Sequence, residues 1–164
     1  MSYREFEQDL IALYRAEYMG EAMFSLLASL SFNARQKKCW QVLAMLERQT
    51  KCQYLDYLER QQLNDQLSSG RWWFSRTSAR LTGLFFGLVF ALLPWATAMR
   101  GLLSGTDDLI AVFERMHLHC GPDEKAYFMT VIAHEQAIAD FARAELDGAS
   151  SSSLVPVMNL LQRR

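Results

Sequence analysis

The stretch that most constrains the fold runs from Leu10 to Ala28, where two acidic residues fall within an apolar helical stripe. At about 100° per residue, the apolar members of this stripe are Leu10, Leu13, Tyr14, Phe24 and Ala28. Glu17 and Glu21 lie in the middle of it, one turn apart. A carboxylate at the centre of an apolar face is costly unless a metal, a cationic partner or a proton compensates it. The rest of the chain is therefore expected to be arranged around this face.

The composition indicates a globular protein that does not bind nucleic acid. Of the 164 residues, 51% are hydrophobic and 21% are charged, which is typical of a chain with a real core. The net charge of −1 leaves no basic footprint for RNA or DNA. The three cysteines are not closely spaced, which fits free thiols in a reducing cytosol, and no apolar signal region begins the chain. We expect a cytoplasmic protein.

Helical periodicity recurs along the chain and predicts an all-α fold. The first helix is expected to end near Phe32, and a second to run from about Lys38 to Leu67 with Glu47 on its apolar stripe. Ser104 and Gly105 predict a break, after which Thr106 caps a third helix.

The last long helix is predicted from Asp123 to about Leu146, with Glu135 on its apolar face and His134 beside it. Long helices with short connections predict a bundle of four main helices over residues 1–148. Residues 149–164 read as a Ser-rich linker followed by a short apolar tail, which makes a homodimer plausible.

An uncharged segment of 19 residues, Leu81–Met99, precedes the predicted third helix or forms part of it. Arg71, Arg76 and Arg80 flank it on one side, as at a membrane interface. Three interpretations stay open: a helix buried on all sides, contact with an apolar ligand or a membrane surface, and a membrane span. The second would place the protein peripherally on the inner face of a membrane.

Four acidic residues on apolar stripes, together with one histidine, are the candidate metal ligands. These are Glu17, Glu21, Glu47, Glu135 and His134. Carboxylate and imidazole groups suit iron or manganese. The alternative, supported equally by the sequence, is a metal-free polar core in which tyrosine and threonine side chains satisfy the carboxylates.

Three segments carry a resemblance to a known superfamily: YRAEYMGEAMFSLLA, MLERQTKCQYLDYL and VIAHEQAIADFARAEL. Together they resemble the metal-bearing helices of the ferritin-like, di-iron carboxylate superfamily. The apolar segment is similar to that of its demethoxyubiquinone hydroxylase branch. The resemblance implies a ferritin-like four-helix bundle with an extra apolar helical segment before or within the third helix. It places Glu47 and Glu135 at the glutamates of two Glu-x-x-His motifs.

The chain departs from that pattern at both histidines. Thr50 and Ile138 stand where the resemblance expects imidazole ligands, and with Tyr54 they would line the pocket. The incomplete motif favours a non-catalytic bundle that binds a ligand, a membrane or a partner. The alternative is a di-iron or single-metal hydroxylase that acts on an apolar substrate, and a second alternative is a small membrane protein with one span.

Overall fold

A computed structural model describes residues 3–60 and 70–162 of the chain, and every regular element within these ranges is an α-helix. The six helices of these ranges are α1 (Tyr3–Leu30), α2 (Ala34–Arg60), α3 (Gly70–Ala91), α4 (Trp95–His119), α5 (Pro122–Leu146) and α6 (Val155–Gln162). The all-α prediction is therefore confirmed. The chain divides into two compact units, Met1–Leu92 and Leu93–Arg164, which we call unit 1 and unit 2.

Unit 1 is arranged around α1, which packs against both α2 and α3. The connection from α1 to α2 is short because Asn33 caps α2: its side-chain oxygen accepts the backbone N–H groups of Arg35 and Gln36 at 3.0 and 3.1 Å. The core between α1 and α2 is aromatic as well as aliphatic. The ring of Phe24 stacks on that of Trp40, with centroids 5.7 Å apart.

Small residues at every fourth position of α3 allow it to approach α1 closely. Ala79, Gly83 and Gly87 are buried, and a Cβ atom added to Gly83 would collide with the backbone of Met19. The opposite face of α3 therefore points outward. Its large apolar side chains are exposed; they are Phe74, Leu81, Phe85, Phe86, Leu88 and Val89, followed after the helix by Leu92. We call this set the outer face of α3.

Unit 2 contains α4, α5 and α6, and both α4 and α6 pack on α5. A buried carboxylate joins its elements: Glu145 accepts hydrogen bonds from the Trp95 indole N–H at 2.8 Å and from the Ser153 hydroxyl at 2.6 Å. Val157 is fully buried, so α6 docks within unit 2. The residues predicted as a flexible Ser-rich linker form turns on the way to α6.

The predicted break at Ser104 and Gly105 is wrong, because α4 begins at Trp95 and continues through both residues. Pro94 provides the start instead: its carbonyl accepts the backbone N–H groups of Thr97 and Ala98. Thr106 is buried within the helix and donates its hydroxyl to the Leu102 carbonyl, rather than capping a new helix.

The second helix begins at Ala34, four residues before the predicted Lys38, because Asn33 caps it. Two other boundaries follow the sequence closely. The first helix ends at Leu30 and the last long helix at Leu146, where Gly148 adopts a positive φ of 78°. The predicted end of the second helix near Leu67 lies outside the described residues. No helix in the described ranges is both long enough and apolar enough to cross a membrane. A single four-helix bundle over residues 1–148 stays a prediction.

The close approach of α3 to α1 predicts that alanine substitution at two glycines changes stability in opposite directions. We expect Gly83→Ala to lower the free energy of unfolding by at least about 1–3 kcal/mol, because the added methyl meets backbone. Gly105→Ala is the matched control, since nothing lies within 4 Å of the added methyl, and it should raise helix stability by about 0.5–1 kcal/mol. Chemical denaturation followed by circular dichroism measures both. Equal effects of the two substitutions would contradict the packing described.

Candidate functional site

A pair of buried carboxyl groups lies between α1 and α2 in unit 1. Glu17 on α1 is 2% exposed and Glu47 on α2 is 6% exposed. Their side chains are joined by a hydrogen bond. Two carboxyl groups can share a hydrogen bond only when at least one of them carries a proton. Without a bound cation, the pair therefore compensates its burial by holding a proton, one of the three possibilities that the sequence left open.

The protonation of Glu47 is set mainly by its burial. Removal from water raises the pKa of Glu47 to about 8. The hydrogen bond with Glu17 opposes this shift, and the negative charge of nearby Glu21 adds to it. At neutral pH the favoured state of the pair therefore retains a proton, and a cation entering the site would have to displace it.

Gly20 makes room for the carboxyl group of Glu47. A Cβ atom at this position would lie 2.7–2.8 Å from the carboxyl carbon and both of its oxygens, closer than such contacts allow. The α1 backbone thus forms one wall of the site. Sequence reasoning missed this residue, although a glycine one turn from Glu17 and next to Glu21 was a visible signal of close approach.

Aromatic side chains extend the site along α1 and α2. Tyr14 and Tyr54 are fully buried, with ring centroids 5.7 Å apart. The Tyr14 hydroxyl donates to that of Tyr18 at 3.1 Å, and burial raises the pKa of Tyr14 well above its ordinary value. Thr50 is buried too, and its hydroxyl donates to the Leu46 carbonyl of its own helix. Both pocket residues predicted on α2 therefore lie in the core of unit 1.

Glu21 has different hydrogen-bond partners from the Glu17–Glu47 pair. The Arg48 Nε donates to one of its oxygens at 2.8 Å, and the Lys51 ammonium group donates to the other. Burial alone would raise the pKa of Glu21, but the hydrogen bonds and positive charges of Lys51 and Arg48 hold it below its ordinary value. Glu21 is thus compensated by cations, and its role as a metal ligand stays a prediction.

The remaining predicted site residues belong to α5 in unit 2. His134 and Glu135 are both buried, and the His134 Nε2 atom lies 3.8 Å from a Glu135 carboxylate oxygen. Ile138 is buried one turn further along the same helix. Their participation in a metal site or a pocket stays a prediction of the sequence pattern.

Comparison with known protein families, with curated proteins and with solved structures finds no match to this chain. The resemblance to the ferritin-like superfamily therefore stays a prediction. What the site can do has to be inferred from the geometry of the residues themselves.

The raised pKa of Glu47 predicts how stability depends on pH. Because the folded pKa of about 8 lies above that of an unfolded glutamate, the folded state binds the extra proton between about pH 5 and pH 8. The free energy of unfolding should therefore fall as pH rises through this range, by at most about 1.4 kcal/mol per pH unit.

Glu47→Gln should flatten that dependence, because the amide is neutral at every pH in this range. Glu59→Gln, an exposed substitution on the same helix, is the control and should retain the wild-type slope. Urea denaturation at a series of pH values, in buffer containing a chelator, measures the slopes. An unchanged slope in Glu47→Gln would show that another group is responsible.

Proposed function

We propose that this protein is a non-catalytic binding protein that attaches to the surface of an anionic membrane through the outer face of α3. The observation that carries this proposal is the exposure of large apolar side chains on that face: Phe85 is 63% exposed, Leu88 53% and Leu92 86%. Contiguous apolar patches of this kind are rare on proteins that bind nothing, and they mark interaction sites.

The charge around α3 supports a membrane rather than a neutral partner. Residues 66–92 contain no aspartate or glutamate, whereas they contain three arginines, at positions 71, 76 and 80. Apolar side chains that enter the headgroup region, together with basic residues beside them, are typical of helices lying in a membrane interface. Each basic residue near an anionic surface adds about 1 kcal/mol of attraction.

The packing of α3 is compatible with this role. Its small residues contact α1, so that the large apolar side chains stay available on the opposite side of the helix. A helix in this arrangement lies along the membrane surface while unit 1 keeps its own core. No rearrangement of the α1–α2 pair is required for such contact.

The proposal is tested by vesicle co-sedimentation. We expect the full chain to bind vesicles of phosphatidylcholine and phosphatidylglycerol more tightly than vesicles of phosphatidylcholine alone. The double substitution Phe85→Gln and Leu88→Gln should weaken binding by at least about tenfold, because two apolar side chains lose their transfer from water. Leu118→Gln with Met129→Gln, also at exposed apolar positions, is the control and should leave binding unchanged.

Circular dichroism melts of both double variants establish that each remains folded. Failure of the full chain to bind either kind of vesicle would overturn the proposal, as would equal losses in the two double variants.

The buried carboxyl pair supports a second candidate function, a metal site. Glu17 and Glu47 offer up to four oxygen donors in a buried setting, and such donors suit manganese or ferrous iron. The pair would exchange its proton for the cation, which makes binding stronger as pH rises. A bound iron would supply oxidative chemistry, as the alternative hydroxylase hypothesis requires.

Elemental analysis of protein purified without a metal-binding tag tests this second candidate. We expect a stoichiometric metal, either as purified or after anaerobic loading with ferrous iron, and its loss in Glu47→Gln with the helical signal intact. Glu59→Gln serves as the control and should retain the metal. His134→Ala and Glu135→Ala test the two ligands predicted in unit 2. No stoichiometric metal in the wild-type protein after loading would exclude the candidate.

A further inference from the structure

Unit 1 contains a cavity of about 430 Å³ at which α1, α2 and α3 meet. Its lining includes both polar and apolar side chains. The lining residues are Tyr18, Glu21, Ala22, Ser25, Leu26 and Ser29 of α1, Arg48 and Lys51 of α2, and Arg80 and Leu84 of α3. The volume is within the range of pockets that hold small molecules.

The cavity carries an excess of positive charge. Arg48, Lys51 and Arg80 supply three positive charges, and Glu21 supplies the one negative charge, so the lining has a net charge of +2. Glu21 engages Arg48 and Lys51. No carboxylate in the described part of the chain lies within ion-pair distance of Arg80, which leaves its guanidinium group available to a ligand.

The cationic groups of the cavity come from α2 and α3, and contacts within the cavity wall hold the Lys51 side chain in place. The Lys51 ammonium group lies 4.7 Å from the centroid of the Tyr18 ring, a cation–π contact that, with Glu21, holds the side chain at the cavity wall. Ser25 contributes a hydroxyl group to the lining, whereas the Ser29 hydroxyl, one turn further along α1, donates to the Ser25 carbonyl at 3.0 Å. A hydroxyl beside guanidinium and ammonium groups is a donor that suits an oxyanion.

We propose that this cavity binds the phosphoryl group of a small anionic compound. A phosphate monoester carries nearly two negative charges at neutral pH, which matches the net charge of the lining. The Arg80 guanidinium group presents paired N–H donors that fit phosphate oxygens, and Lys51 supplies a point charge. Leu26 and Leu84 form an apolar wall for the organic part of the compound.

A soluble phosphate monoester and the headgroup of a phosphomonoester lipid present the same chemistry to this cavity. The cavity is defined by its own charges, and none of its lining residues belongs to the outer face of α3 that the membrane-binding proposal uses.

In the first arm of the test, the full chain is titrated with inorganic phosphate at low ionic strength, and isothermal titration calorimetry measures the binding. We expect saturable binding that Arg80→Gln weakens about tenfold, the loss of one charge-assisted interaction. Arg15→Gln removes an exposed arginine of α1 outside the cavity and should leave binding unchanged. Since Arg80 has no ion-pair partner in the described residues, its substitution should not perturb folding, and thermal melts check this.

The second arm compares vesicles that contain phosphatidic acid with vesicles that contain phosphatidylglycerol at the same surface charge. Only the former lipid exposes a phosphate monoester. A preference for phosphatidic acid that Arg80→Gln removes would identify a lipid headgroup as the source, whereas phosphate binding without such a preference would identify a soluble compound. The inference would be overturned if the chain neither bound inorganic phosphate nor preferred phosphatidic acid. It would also be overturned if Arg15→Gln weakened binding as much as Arg80→Gln does.

The outer-face double variant of Phe85 and Leu88 separates this inference from the proposed membrane attachment. It should lose vesicle binding yet retain phosphate binding with unchanged affinity. Loss of both in that variant would mean that the cavity does not act as an independent site.

Discussion

Burial of a carboxyl group is the constraint on which unit 1 depends. Glu17 and Glu47 are removed from water between two helices, and an uncompensated charge in that position would cost more free energy than a small domain can spare. Without a bound cation, a shared proton resolves the conflict, and Gly20 provides the space that lets the two groups meet. The tyrosines beside them complete a polar core whose members have to be satisfied together.

Two glutamates of α1, one turn apart, are compensated for their burial in different ways. Glu17 shares a proton with another acid, whereas Glu21 pairs with Arg48 and Lys51. The sequence predicted that both would lie on the stripe of α1, because helical periodicity fixes the direction of a side chain. It could not predict their different compensation, because the partners on α2 depend on the register between the two helices.

Some helix boundaries were predictable from local chemistry, and others were not. The last long helix, α5, ends at Leu146 as expected, and Gly148 shortly after it has the positive φ that is a local signal of a helix end. Ser104 and Gly105 gave an equally clear signal of a break, yet α4 continues through them. The penalty of a glycine in a helix is only about 1 kcal/mol, and the burial of Met99, Leu102 and Phe113 along one helix outweighs it. The orientation of α3 was not predicted, because large apolar residues occur on more than one side of the helix; the small residues Ala79, Gly83 and Gly87, at every fourth position, decide which side meets α1.

The position of α1 between its two partners also orders the assembly of unit 1. Its contact with α2 closes a connection of three residues, Ser31–Asn33, whereas its contact with α3 closes a separation of about forty residues along the chain. Short closures cost less entropy and form faster than long ones. The helical hairpin of α1 and α2 should therefore form first, with α3 docking onto it afterwards. The element that joins last in folding is then also the one that presents the apolar outer face, so an unfinished chain would expose both sides of α3 to aggregation.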